Sequence, residues 1–299
     1  MVFDRYGGPE VLRLSAVDVP ESGAGRVRVR VKAASVNPFD IKLRRGDFAQ
    51  MFPVRFPATP GIDVAGTVDA VGPGVSGVAP GDDVLGAAET GSYAHDAFLA
   101  APVRKPSAMS WDLAAALPTI GETTLRALGH LHLVAGETLL IHGAADSVGA
   151  IATQLAVARG AIVIGSVGER YEDRARALGA ITVRYGEGLA GRVRAIAPGG
   201  VDAVLDTSGH GVLPVSIDLA GGALRVVTIA DQDAAKYGVR FTGGGPGDSV
   251  PGALQEVVDL VAAGKLDVTI WRSSPLAEAA RAHADLEAGA NRGKVVLVT

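Results

Sequence analysis

Cysteine is absent from all 299 residues. That excludes disulfides, a thiol nucleophile and thiolate-held zinc together, and it fits a reducing compartment, so a cytoplasmic location is expected. Excess charge of one sign is absent too. Twenty-eight basic and 32 acidic residues give a formal net charge of −4, which leaves no electrostatic footprint for nucleic acid. No apolar run reaches bilayer length, because His142, Asp146 and Arg159 interrupt the most apolar stretch, so no membrane span is expected. The opening MVFDRYGGPE has neither a basic start nor an apolar centre, and no signal peptide is read there. Repeats of solenoid period and low-complexity linkers are likewise missing. What is present is 48% apolar and 20% charged sequence, enough for a large core and long enough for two domains. Forty glycines point to many tight turns and a β-rich part.

Residues 1 to about 115 read as mostly β. Leu12 to Val17 is an apolar-rich run, and Arg26 to Ala33 alternates strictly between valine and base, the pattern of a half-buried strand with a solvated charged face. Val36 to Gly46 reads as a loop or short helix broken by Pro38, and Phe52 to Gly61, with three prolines, as a rigid connection. Gly61–Val71 and Asp83–Gly86 read as strands around a turn-rich segment, and Gly91–Ala101 as a strand pair. Near Ser110 the character changes. Trp111–Leu117 and Thr119–His132 are helix-like with Pro118 marking a break, and beyond Thr138 strands alternate with helices to about Gly264. Alternation of that kind implies a parallel, doubly wound sheet. A helix over 275–288 and a strand over 294–299 close the chain. The expectation is therefore an α/β protein of two domains, 1–115 completed by 265–299, and 116–264.

The centre of the second domain is Glu137 to Ala180. Thr138–His142 is a buried-strand run, Gly143–Gly149 a turn of small residues, Ala150–Arg159 a helix stopped by Gly160, and Ala161–Val167 a second strand. This βαβ unit sets a helix N-terminus where a pyrophosphate can sit. The dinucleotide fingerprint asks for glycines in such a turn, but here it reads Ala144, Ala145, Asp146, Ser147, Val148, Gly149. Only the last glycine is in place, and Asp146 sets a carboxylate beside the diphosphate position. Either the turn binds a nucleotide through the Ser147 and Val148 backbone N–H groups, or it joins strand to helix and nothing more. At the end of the second strand, where an acid would bind a ribose 2′-hydroxyl, the chain has Ser166 and, four residues on, Arg170. Those two side chains suit a 2′-phosphate, so NADPH is expected over NADH. Ser208–Gly209 and Ile229–Ala230, at later strand ends, are expected along the cofactor.

Several segments, in order, resemble the medium-chain dehydrogenase/reductase superfamily in its zinc-free quinone oxidoreductase and enoyl reductase branch. They are FDRYGGPEVLRL, SVNPFDIKLRRG (35–46), PGIDVAGTVDAVGPGV (60–75), PGDDVLG (80–86), GSYAHDAFLA (91–100), LPTIGETTLRAL (117–128), the βαβ core and GANRGKVVLV (289–298). The resemblance implies a GroES-like β-barrel domain for substrate, a Rossmann domain for NAD(P)H, and an active site in the cleft between them. It also implies a strand ahead of VFDRYGG, so the first strand is expected to be shortened. The positions matching the catalytic metal ligands of zinc alcohol dehydrogenases are Asn37 and the pair Ile62–Asp63. Amide, alkyl and a single carboxylate do not make a zinc site, and no metal is expected. The six histidines are scattered, without ligand spacing.

The resemblance implies roles for further residues. Asn37 matches a family asparagine near the nicotinamide, and its amide suits donation to an enolate-like oxygen. Asp40 matches a position that orients this loop. For both, ordinary turn chemistry is the competing reading. Tyr93 matches a tyrosine near the cleft, although a strand tyrosine is more often core with its hydroxyl satisfied. Thr123 matches a threonine near the nicotinamide, with helix packing as the alternative. Tyr185 matches a residue lining the adenosine side, and Lys294 a family lysine expected among the cofactor contacts, with a strand-edge charge as the competing reading. Loops near 37–56, 89–95 and 240–250 are expected to build the substrate pocket. The function expected is zinc-independent, NADPH-dependent reduction of a quinone or an α,β-unsaturated carbonyl. The alternative is a non-redox or degenerate relative (cyclase, isomerase or binding protein) weakened at Asp146. An edge strand near Val239–Thr242 suggests a homodimer, and the only other partner expected is a small-molecule substrate.

Overall fold

The computed structural model describes residues 1–19, 21–244 and 247–299; positions 245 and 246 of the third expected pocket loop lie outside them. The chain forms two compact units, Met1–Thr119 with Leu254–Thr299, and Ile120–Ala253.

The first unit begins its sheet with β1 (Val27–Val36). Val27, Val29 and Val31 point into the core, while Arg28 and Arg30 reach Asp69 and Asp96 on the other face. Alternation in the sequence thus becomes two faces of one strand. Beyond Val31 every residue of β1 but Lys32 is buried. Helix α1 (Pro38–Arg45) follows directly. Pro38 starts this helix and does not break it, since a first-turn residue needs no N–H bond. Then come β2 (Asp63–Val71), β3 (Asp83–Ala87), β4 (Asp96–Leu99) and β5 (Val103–Arg104). The expected strand pair at 91–101 is one strand, and Leu12–Val17 contributes only a single bridge, Arg13 to Val2.

Helix α2 (Trp111–Leu131) runs unbroken through Pro118, against the expectation of two helices. A mid-helix proline removes one ladder bond and strains the next. Here the following amide, Thr119 N–H, donates to the Asp63 carboxylate at 2.8 Å. An acceptor from β2 thus takes the place of the ladder.

The second unit alternates β6 (Thr138–His142), α3 (Ser147–Ala158), β7 (Ile162–Val167), α4 (Glu172–Ala177), β8 (Ile181–Arg184), α5 (Leu189–Ile196), β9 (Ala203–Asp206), α6 (Leu213–Ala220), β10 (Val226–Thr228) and β11 (Arg240–Phe241). All its strand pairings are parallel, in the order β11-β10-β9-β6-β7-β8. This is the doubly wound order with its switch point between β6 and β9, where ligands bind at strand C-termini. Leu140, Ile164, Val204 and Val226 form its core.

The chain returns to the first unit through α7 (Ala253–Ala262), β12 (Ile270–Pro275), α8 (Ala279–Glu287) and β13 (Lys294–Val298). Strand β12 has no clear alternation and was not foreseen; β13 pairs with it on one side and with β1 on the other. The bent sheet has the order β12-β13-β1-β2-β3-β5, with β4 against the first half of β1. No helix among the described residues is long and apolar enough to cross a membrane.

Candidate functional site

In the first unit the expected residues gather beneath the start of α1. Asn37 is the residue before the helix, buried, and all of its side chain is engaged. Its Nδ2 donates to Asp63 Oδ2 at 2.9 Å and to Ser35 Oγ at 3.5 Å, and its Oδ1 accepts from Lys294 Nζ at 2.6 Å. Asp63 is the hub. Its Oδ1 accepts from the Thr119 amide and hydroxyl, and its Oδ2 from Ser35 as well as Asn37, with the Lys294 ammonium 3.7 Å away. Lys294, expected on the cofactor, is thus buried in the bent sheet with its charge directed at Asn37 and Asp63. Burial lowers its pKa, opposed by Asp63 and Asp40.

Asp40 sits one turn into α1, where its Oδ2 accepts from the Asn37 amide at 2.8 Å, the return bond that satisfies a helix-start donor. It also accepts from the Tyr93 hydroxyl at 3.3 Å. Burial pushes the Asp40 carboxyl up to about 7, with Asp63 adding and the Asn37 amide, Lys294 and Tyr93 opposing. Tyr93 is fully buried, and its hydroxyl also meets His283 Nε2 at 3.1 Å. It is a core residue linking Asp40 to α8. His283 is held down at about 3 by burial and by the nearby Arg44 charge.

In the second unit the turn after β6 is the centre. Neither lost glycine, at Ala144 or Asp146, was needed for a left-handed backbone: among the described residues only His132 departs from negative φ without being glycine, and Asp146 is extended at φ −74°, ψ 171°. Gly149 is needed, because a Cβ there would lie 2.1 Å from the Gly143 carbonyl oxygen. The first-turn N–H groups, at Ser147, Val148 and Gly149, have no carbonyl inside the helix, and the Asp146 side chain does not cap them. Ala144 is buried at the base of the turn.

The Asp146 carboxylate turns back over Gly143, with Oδ2 2.8 Å from where a Cβ on that glycine would be. The residue keeps an exposed surface. The protein packed around it nonetheless raises its pKa, and Arg174, His210 and Arg170 pull it back, in that order. Arg170 was expected near here; Arg174 and His210 were not. The signal for Arg174 was its place one turn beyond Arg170.

Ser166 is buried at the end of β7, its hydroxyl 2.9 Å from His142 Nδ1. His142 Nε2 meets Ser216 Oγ of α6 at 3.0 Å, and burial lowers this imidazole to about 4, against the pull of Asp206. The strand-end backbone is organised by Asp206. Its Oδ1 accepts from the Ser208 amide and hydroxyl and the Gly209 amide, its Oδ2 from Thr228 Oγ1, and its carbonyl from the Ile229 amide. The Ala230 amide donates to Thr228 Oγ1. Tyr185 is 64% exposed, a ring open to solvent beside Gly168. Thr123 is half-buried on α2, its hydroxyl accepting from Arg126 at 3.3 Å.

The first unit thus collects Asn37, Asp40, Tyr93 and Lys294, and the second places Asp146, Ser147, Val148 and Gly149 at one turn, with the Arg170 charge acting on Asp146 and with Ser208–Gly209 and Ile229–Ala230 at the neighbouring strand ends. Among the described residues, no group of three or more His, Asp or Glu side chains is placed to hold a metal ion.

Comparison with known proteins agrees with the two-domain fold. Residues 23–106 match the alcohol dehydrogenase GroES-like domain, and residues 178–297 a family described as zinc-binding dehydrogenase. The quinone oxidoreductase of Pseudomonas aeruginosa is 35% identical over 99% of this chain and 98% of its own length. The quinone oxidoreductase structure from Coxiella burnetii superposes with a TM-score of 0.88 at 32% identity, covering 100% of this chain and 98% of that one. An Escherichia coli quinone oxidoreductase, solved in complex with NADPH, gives 0.88 at 28% identity, covering 100% and 99%.

Proposed function

This chain belongs to the quinone oxidoreductase family of the medium-chain dehydrogenases/reductases, and on that premise we propose that it is a zinc-independent, NADPH-dependent reductase of quinones or α,β-unsaturated carbonyls. The carrying observation is the state of Asp63. Four protein donors and an ammonium take up its carboxylate, and its sequence neighbours in the zinc pattern are an amide and an isoleucine. The donor set is that of a hydrogen-bonded scaffold and not of a Lewis-acid centre. Conjugated acceptors suit such a protein, because they spread the arriving negative charge onto an oxygen that N–H donors stabilise.

NADPH, when bound, supplies the hydride. The chain's own part is to hold and polarise. The open N–H groups of Ser147 and Val148 face the diphosphate, Arg170 and Arg174 supply charge for the 2′-phosphate, and the exposed Tyr185 ring lies along the adenosine. Asn37 is the polarising group. Lys294 fixes its Oδ1, Asp63 holds one Nδ2 hydrogen firmly, and the second, with only the 3.5 Å contact to Ser35, is the one exchanged for a substrate oxygen. A homodimer joined at β11, whose Phe241 is 46% exposed, protects that sheet edge. A cytoplasmic setting accords with the absence of cysteine. Asp146 favours the rival reading of a relative with weakened cofactor binding.

The test is NADPH oxidation with 1,4-benzoquinone and with an α,β-unsaturated ketone, each with and without a zinc chelator. Turnover indifferent to chelator is expected. Asn37→Ala should lower kcat by about 10²-fold, the scale of one lost oxyanion donor. Failure of both acceptors, or loss of turnover to the chelator, overturns the proposal. Light scattering showing a monomer overturns the dimer.

A further inference from the structure

We propose that Asp146 is a built-in anionic competitor at the cofactor turn, so that binding of a phosphate-bearing dinucleotide is linked to uptake of a proton by this carboxylate. This inference rests on the functional reading above and deepens it.

Four observations meet here. Asp146 precedes α3 at the N-cap position but leaves the helix-start N–H groups uncapped, so its carboxylate is not retained for the commonest task of an acid at that place. It folds back over Gly143, at the C-terminal end of β6, where the doubly wound order places a ligand's phosphates. The charged groups that act on it come from three places: Arg174 on α4, Arg170 just before that helix, and His210 beyond β9. Those same cations form the positive field that a diphosphate or 2′-phosphate would enter. An ionised Asp146 already offsets part of that field and repels the incoming phosphate, whereas a protonated one does neither.

The sign follows from linkage. An anion bound beside Asp146 raises its pKa above the value in the free protein, where the packed protein already raises it. Affinity is then greatest below the free-protein pKa and is lost as pH rises through the pKa of the complex. The proton comes from solvent, and no bond to the cofactor forms or breaks. His210 also acts on this carboxylate, so the two must be separated.

The experiment is calorimetric titration of the full chain with NADP⁺ at unit steps from pH 4.5 to about pH 8, each in two buffers of different ionisation enthalpy. It uses the parent protein, Asp146→Asn, Asp146→Ala and His210→Gln. The parent should bind about tenfold more weakly at the top of that range than at the bottom, a ratio equal to about 1.4 kcal/mol. Both Asp146 variants should bind about tenfold more tightly than the parent at pH 8 and take up less proton. Their exposed, extended position accepts either residue, and an unchanged thermal midpoint without ligand confirms folding. Equal affinities of parent and Asp146 variants at pH 8 overturn the inference alone. So does proton uptake that persists in the Asp146 variants and vanishes in His210→Gln. Absence of NADP⁺ binding in all four proteins overturns the functional reading as well.

Discussion

In the bent sheet Asp63 and Lys294 meet as ions under Asn37, while in the parallel sheet His142 sits neutral between two serine hydroxyls. Both clusters are buried and both tie strands to a helix, yet they meet the cost of burial differently. The first relies on opposite charge and on crowding donors around one carboxylate, an arrangement that holds only while every member is present. The second keeps its titratable ring uncharged and lets hydroxyls adapt. The same contrast appears in what is left over. Asp40 Oδ1, Arg44 Nε and Nη1, Ser92 Oγ, Arg272 Nε and His283 Nδ1 are buried without a hydrogen-bond partner, and all belong to the first unit. Among the described residues, the second unit has none.

The largest expected effect breaks the ionic side. Asp63→Ala strands the buried Lys294 charge and four donors, and should cost about 3–5 kcal/mol. Trp111 and Trp271 both lie in the first unit and are the only tryptophans, so denaturation followed by tryptophan fluorescence reads that unit selectively. A loss below about 1 kcal/mol would show that the network is not held by charge.

The next effect sharpens the comparison through pH. His142, lowered in the fold to about 4 from 6.5, gives stability present above pH 6.5 and lost as pH falls toward 4. The slope is about 1.4 kcal/mol per pH unit at most. In the first unit His283, at about 3, has the same sign, but Asp40, raised to about 7 from 3.8, has the opposite one. Its contribution is complete below 3.8 and lost as pH rises through 7. The two offset each other between about pH 4 and 6.5, so acid should loosen the second unit first. Hydrogen exchange at pH 5 against pH 7 should show β6 and β7 losing protection before β1 and β2, and His142→Gln should flatten the difference. Simultaneous loss in both sheets would dissolve the contrast.

The smallest effect tests the neutral side alone. Ser216→Ala removes one hydroxyl partner of His142, which keeps Ser166. It should cost about 1 kcal/mol in thermal or chemical denaturation.

Much of this architecture was legible in the residues. The buried parallel strands announce themselves as apolar runs, β1 by its valine–arginine alternation, and the turn at 143–149 by its place between strand and helix. What stayed hidden depends on partners distant in sequence. Pro118 reads as a break because the acceptor that repairs the helix lies 56 residues away, on β2. Nothing near Lys294 in the sequence reveals that β13 carries it to Asn37, 257 residues earlier. Ser166 is well placed in the sequence for a 2′-phosphate, and only the fold shows His142 already on its hydroxyl. Arg174 and His210 were missed because their meeting point is a carboxylate on another loop.

The junction at Thr119 has a use beyond architecture. A backbone amide released from its helix by a proline ordinarily exchanges with solvent deuterium quickly. This one is bonded to a buried carboxylate, so its exchange rate should track the ionic cluster and not the helix around it. One residue's isotope uptake, compared in the parent and in Lys294→Met, would therefore act as a local gauge of how tightly Asn37 is held, readable without substrate or cofactor.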